Sequence, residues 1–501
     1  MSAVQRLVGW LDDALNPIVV KEMRQAARGR FLVSLLMFYL AAQLLALGGF
    51  LLSTGVDRLD SAFGREYGSE AFALLLGVLL FVLLVCLPIY AAVRFAVERT
   101  GEGLALLFIS TLSPRRLVLG KLASNVLVGA LILAAGAPYL FFTFFLRGID
   151  LTTMTSALVA AGLGMLTLVA FAILVAALPA ERLLRWLVYL ASLGFVFWFF
   201  FFALFVLVES ATSGVGLVGL GGGHSWAAVL AVLMVVGLMF ELTVAMVAPP
   251  ASDRARPVRR YLLVFWLLSL VLVVLTPTRF DAVELWLQGW TWVVVGSLLV
   301  AVSSRDRPSR RVLAQLPRRG PRRGLALLLT SGSWPGLLFG VVLLVATVSA
   351  GQLLAWDRAD GGLELLVRSQ MGLGAQALAY ALLGLEIHRR WLANRLPAGS
   401  TWLVSLGAVA LLSLLPIFVG LYFMEGELDV RAPQIALLFL FNPVSFGDLV
   451  LAQSAVVFAL GWAVIMVAIV WRRLRGLAQG YRPRTEVPTG PGEEPAVAES
   501  V

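Results

Sequence analysis

Twelve runs of roughly 17–27 mostly apolar residues fill this chain, and no polar stretch between them is longer than about 30 residues. A helix rises about 1.5 Å per residue, so about 20 apolar residues cover the ~30 Å hydrocarbon core of a bilayer. In lipid every backbone N–H and C=O has to be paired internally, which makes such runs helices. They are 31–52, 71–93, 122–146, 152–178, 184–208, 226–248, 260–276, 286–303, 325–350, 371–387, 400–424 and 450–471. A further apolar piece, 433–441, has the length of a broken or re-entrant half-helix. Asn442-Pro443 ends it, because proline lacks an N–H and turns its predecessor away from helix. The expected fold is therefore all-α: a polytopic integral membrane protein of about twelve transmembrane helices. The expected divisions are a cytoplasmic segment 1–30, six spans over 31–248, six more over 249–475, and a Pro-, Gly- and Glu-rich disordered tail over 476–501.

Charge gives these spans an orientation. Of the 39 Lys and Arg residues, 32 fall in the first and every second connection thereafter: 1–30, 94–121, 179–185, 249–260, 304–324, 388–399 and 472–501. The positive-inside rule places those connections, and both termini, in the cytoplasm, with the chain in the cell (plasma) membrane. The opposite loops are acidic, with Asp57, Asp60, Glu66, Glu70, Asp357, Asp360, Glu364, Glu425, Glu427 and Asp429. The net charge of +10 thus follows topology and attraction to anionic lipids rather than nucleic-acid binding. Residues 1–30 lack the short apolar core and small-residue cleavage site of a secretory leader.

Several chemistries find no foothold. Gly120-Lys121 is followed by Leu122, and Arg115 stands where a phosphate-binding Walker loop needs its first glycine. His224 and His388 are the only histidines and Cys86 the only cysteine, too few for a zinc site. There is no G-x-S-x-G elbow, so no catalytic residue, metal or cofactor is expected in this chain. Acidic residues within spans are Glu241 and Glu386, near the cytoplasmic ends, with Asp448 at the edge of the last span. An ion-driven carrier normally places such groups at mid-bilayer. Such a carrier, an enzyme acting on lipid-linked substrates through Asp57/Asp60 or Asp357/Asp360, and a non-transporting membrane component are the alternatives.

Two cytoplasmic segments carry more information than the spans. Asn16-Pro17 has the form of an N-cap followed by proline at the first helical position, opening a helix with Lys21, Arg24 and Arg28 on one side. Gly29 separates it from the first span, and the basic helix is suited to lie in the interface. The second segment, Glu98 to Lys121, reads ERTGEGLALLFISTLSPRRLVLGK. Gly101 and Gly103 loosen the end of the second span. Residues 102–112 form a short apolar helix with Leu104, Leu107 and Phe108 on one face, of a size to dock in a partner's groove. Ser113 can cap the next helix with Pro114 in its first turn, putting Arg115 and Arg116 at the headgroups.

This second segment resembles the first cytoplasmic loop of ABC-2-type transporter permeases, and Asn16-Pro17…Lys21-Glu22…Arg24 resembles the elbow that precedes their first span. Glu98, Gly101, Leu104, Leu107, Phe108, Ser113, Pro114, Gly120 and Lys121 carry the first likeness; Asn16, Pro17, Lys21, Glu22 and Arg24 carry the second. The six-span layout extends the likeness over roughly 1–248, while the second half resembles the family only in span arrangement and the Asn442-Pro443 break. Ala105 stands where the family often has glutamate, and Ser110-Thr111 replaces its usual Thr-Pro. The resemblance implies a permease subunit, exporting, with ATP and Mg held by a separate cytoplasmic ABC ATPase dimer. The other partners are membrane lipids and, unless one chain forms the whole membrane part, a second permease copy. A weak echo also relates 31–146 to 325–424, as repeated transporter halves would.

Overall fold

The computed structural model describes residues 17–54, 64–100, 113–146, 149–178, 182–212, 225–249, 252–276, 279–304, 313, 316–317, 321–355, 362–396, 398–423, 452–479 and 481. These residues form helices joined by short turns, with no strand among them. Ten helices among the described residues are long and apolar enough to cross a membrane. The chain divides into two compact units, Met1–Ala248 and Pro249–Val501.

In the first unit α1 (Pro17–Arg28) stops at Gly29 and α2 (Arg30–Thr54) begins at the next residue. Next come α3 (Gly64–Phe81) and α4 (Leu87–Thr100), joined by a π turn at Val82–Cys86. Pro88 lacks an N–H and its ring would press on the carbonyl four residues back, a strain that an extra residue in the turn relieves. Leu87 N–H accordingly reaches back five residues to Val82 O. This interrupted helix is the centre of the unit: Phe72, Leu75, Leu76, Leu79, Leu80, Leu83 and Leu87 are fully buried. Around it pack α2, α5 (Pro114–Phe145), α6 (Leu151–Ala177) and α7 (Arg182–Thr212), while α8 (Ser225–Val247) packs on α5 and α6.

The second unit contains α9 (Ala255–Leu275), α10 (Arg279–Val302), the short α11 (Pro321–Leu329), α12 (Ser333–Ala355), α13 (Gly362–Ile387), α14 (Thr401–Phe423) and α15 (Ala452–Gln479). Helix α13 packs on α10, α12, α14 and α15. Ser269 Oγ accepts the indole N–H of both Trp286 and Trp290, each at 2.9 Å, which fixes α9 on α10. The echoed segments 325–350 and 371–387 both pack here on α10, a helix that precedes them and has no counterpart in the echo.

Several sequence boundaries move. The run 325–350 is not one span: Thr330–Gly332 break it, so α11 stands apart and the spanning helix starts at Ser333. The run 371–387 starts earlier, at Gly362, because Glu364 and Arg368 are carried on the helix. The fold does not release at residue 476; α15 runs to Gln479 and Tyr481 is buried. The piece 433–441 with Asn442-Pro443 and the tail from 482 lie outside the described residues.

Gly332 takes φ +133°, a backbone region closed to most L side chains, and a Cβ there would collide with the Tyr481 hydroxyl. That hydroxyl donates to Ser331 O at 3.0 Å, and Arg323 Nη2 donates to Tyr481 O at 2.9 Å. Gly332→Ala is expected to cost about 1–3 kcal/mol through its strained backbone. Adding Tyr481→Phe, which removes the colliding oxygen, should recover part of the loss in a thermal unfolding assay. No recovery would show that φ alone sets the cost.

Helix α6 starts at an Asp150 N-cap, whose carboxylate accepts from Thr153 N at 3.4 Å and from the Thr153 hydroxyl. The Thr153 hydroxyl holds the Asp150 carboxyl below its ordinary range. A depressed carboxyl pKa contributes stability that is complete above the unfolded value of about 4 and fades as pH falls through the folded value. Asp150→Ala should therefore cost about 1 kcal/mol at neutral pH. The gap to wild type, read as melting temperature against pH, should close in acid.

Candidate functional site

The elbow helix and the start of the third span meet at one end of the first unit. Helix α1 buries Ile18, Val19, Glu22 and Ala26 and leaves Lys21, Arg24 and Arg28 exposed, so its carboxylate sits on the inner face among apolar side chains. Helix α5 opposite begins as the sequence predicts: Ser113 is its N-cap, accepting from Arg116 N, and Pro114 takes the first position. Two turns on, Gly120 and Lys121 are buried against α1.

Lys121 is the centre of the site. The residue is 6% exposed; its ammonium lies 2.9 Å from Glu22 Oε1, also pairs with Glu98 Oε2, and rests 5.8 Å from the centre of the Phe95 ring. Arg94 supplies the fourth charge, with Nη2 at 3.2 Å from Glu22 Oε2 and 2.9 Å from Gln25 Oε1, and Nη1 donating to the Tyr90 hydroxyl at 2.9 Å. Two cations face two carboxylates, so the cluster is neutral as a group. That balance makes its burial tolerable, since an unpaired buried charge costs several kcal/mol. A small cavity of about 20 Å³ lies beside it, lined by Glu22, Arg94, Lys121 and Asn125 among others. Asn125 Nδ2 and Ser124 Oγ both donate to Lys121 O, which fixes the backbone from which the ammonium extends.

Further arginines close the ends of these helices. Arg115 Nη2 sits 2.7 and 2.9 Å from the two oxygens of Glu241, joining α5 to α8. Arg99 Nη1 donates to Ala176 O and Leu178 O, satisfying carbonyls that the end of α6 leaves without helical partners. In the second unit Arg259 does the same for α11, donating to Leu328 O and Thr330 O and lying over the Phe339 ring. Asp253 Oδ1 accepts from Ser331 N at 2.9 Å, and Arg473 pairs with Glu386.

The structure thus brings Glu98 and Lys121 together with Glu22 of the elbow, and sets Ser113, Pro114 and Gly120 on the same helix as Lys121. Pro17 opens α1, while Lys21 and Arg24 face away from the cluster. Asn16, Gly101, Leu104, Leu107 and Phe108 lie outside the described residues. Sequence reading missed Arg94, which looks like an ordinary topogenic charge at a span end; its only signal was its position four residues before Glu98. The aromatic run of α7 faces outward: Phe195, Phe197, Phe201, Phe202 and Phe205 are exposed and Phe200 is buried. Among the described residues no three His, Cys, Asp or Glu side chains gather at metal-binding range. Comparison with protein-family models, with curated proteins and with solved structures found no match to this chain.

Removing the ammonium alone should leave the two carboxylates, Glu22 and Glu98, with Arg94 as the one remaining cation of the cluster. Lys121→Met is expected to cost about 3–5 kcal/mol. Glu22→Gln with Lys121→Met leaves Arg94 facing Glu98 one to one and should be the more stable of the two, read by thermal unfolding of the detergent-solubilised protein. A double variant as unstable as the single one, or worse, would show that the two residues are not electrostatically coupled.

Proposed function

We propose that the chain is the membrane-spanning permease subunit of an ATP-driven transporter of the ABC-2 type, an exporter coupled to a separately encoded ATPase dimer that holds ATP and Mg. The observation that supports this reading is the meeting of its two characteristic segments. The elbow residue Glu22 and the loop residues Glu98 and Lys121, far apart in sequence, form one ion cluster around a buried ammonium. Segments with unrelated tasks have no reason to share a charge that is costly to bury.

In this reading the segment 102–112, on the cytoplasmic side with both termini, receives the closure of the ATPase pair. Glu98 precedes that segment and Lys121 follows it, so a displacement of the segment acts on the cluster from both ends. Through Glu22 the same displacement reaches α1, and through α1 the first span. The buried Glu22–Lys121 junction passes such motion with little loss, because these two groups cannot part without stranding a charge in a low-dielectric site. The permease itself contributes no bond-making step; its part is to change the packing of its spans around the cargo.

Affinity purification of the tagged chain after mild solubilisation should bring an ATP-binding protein with it. Charged residues in place of Leu104, Leu107 and Phe108 should release that protein while the permease keeps its melting temperature. Continued co-elution with the substituted chain, or cargo movement by the purified chain with no ATPase present, would overturn the proposal.

A further inference from the structure

Helix α1 carries three basic residues, Lys21, Arg24 and Arg28, and a single carboxylate, Glu22. Spacings of three and seven residues bring the basic three within about 60° of one another around a helix of 3.6 residues per turn. All three are exposed, and Glu22 is turned into the protein and neutralised by Lys121 and Arg94. The outer face of α1 therefore presents basic side chains, and the one carboxylate of that helix lies on its other face.

What lies beside that face identifies its occupant. One residue past Gly29 the chain enters α2, whose Phe31, Val33, Met37 and Phe38 are 51–67% exposed. Val93 and Val97 of α4 are as open, and Phe31 stacks on Tyr90 with ring centres 4.8 Å apart. An apolar wall of this kind in a spanning helix is covered by acyl chains. Along the chain that wall ends at Arg30, and the basic stripe of α1 begins two residues before it, at Arg28. Acyl chains lying along α2 and α4 would bring a phosphate towards this basic end.

We infer that the outer face of α1 is a binding site for the headgroups of anionic phospholipids. Its inner face is held by the ion cluster and its outer face by lipid phosphate, so α1 is braced between protein and membrane. This assignment does not depend on the transport reading. A patch of three basic residues at the surface gains about 1 kcal/mol per residue from anionic lipid, and that gain is screened by salt.

The test uses the full chain in mixed micelles of phosphatidylglycerol and phosphatidylcholine with identical acyl chains, in equal amounts. Retained lipid is counted by mass spectrometry after purification. The wild type is expected to retain phosphatidylglycerol at least about five-fold over phosphatidylcholine at low salt, and to lose the preference in 1 M salt. The triple variant Lys21→Gln, Arg24→Gln, Arg28→Gln should bring the ratio near one with its melting temperature unchanged. The variant Arg472→Gln with Arg475→Gln, which removes charge from the end of α15, should keep most of the preference. No preference in the wild type overturns the inference. So does a triple variant that keeps the preference, including one that loses a co-purifying protein instead, which would make the stripe a protein-docking face. If the triple variant fails to fold, Arg24→Gln alone is compared with Arg472→Gln alone; equal ratios for the two would likewise overturn it.

Discussion

A single buried ammonium sets the arrangement of the first unit. Lys121 lies where α1, α4 and α5 converge, and each of its carboxylate partners comes from a different helix. A charge in such surroundings is stable only if its partners are held in place, and holding them in place fixes the helices that bear them. The elbow thus keeps a defined position although it is only 12 residues long, too short to persist alone in water. Packing of Ile18, Val19 and Ala26 supplies adhesion, and the ion cluster supplies position.

Elsewhere arginine plays a more local part. The ends of helices leave carbonyls without partners, and water is scarce near the membrane. Arg99 and Arg259 supply donors at two such ends, each guanidinium nitrogen meeting two carbonyl oxygens. The same residues that orient a membrane protein by their number in its loops therefore also finish its helices. This explains why arginines near span ends are not all free to face water: Arg259 is buried.

Much of this was legible in the sequence because lipid imposes simple rules. Apolar length alone marks the spans, and local chemistry marks their edges: Gly29 separates α1 from α2, and Ser113 with Pro114 starts α5. Other features depend on partners far away in the chain. Nothing around Arg115 indicates that Glu241 will meet it, and Arg94 reads as a loop charge until α1 is seen lying against it. The break at Thr330–Gly332 was masked by the apolar runs on either side of it, and its partners Asp253, Arg259 and Tyr481 lie far away in the chain. Glu364 and Arg368 hid the start of α13 for the opposite reason, since helices extend past the hydrocarbon while hydropathy stops at its edge.

The fit of Tyr481 against Gly332 couples two positions that no local pattern connects. Neither can vary alone: a side chain at 332 would displace the ring, and the ring's loss would leave Ser331 O without its donor. Among related chains these two sites should therefore drift as a matched pair. A lineage that abandons the glycine should be found to have abandoned the tyrosine as well.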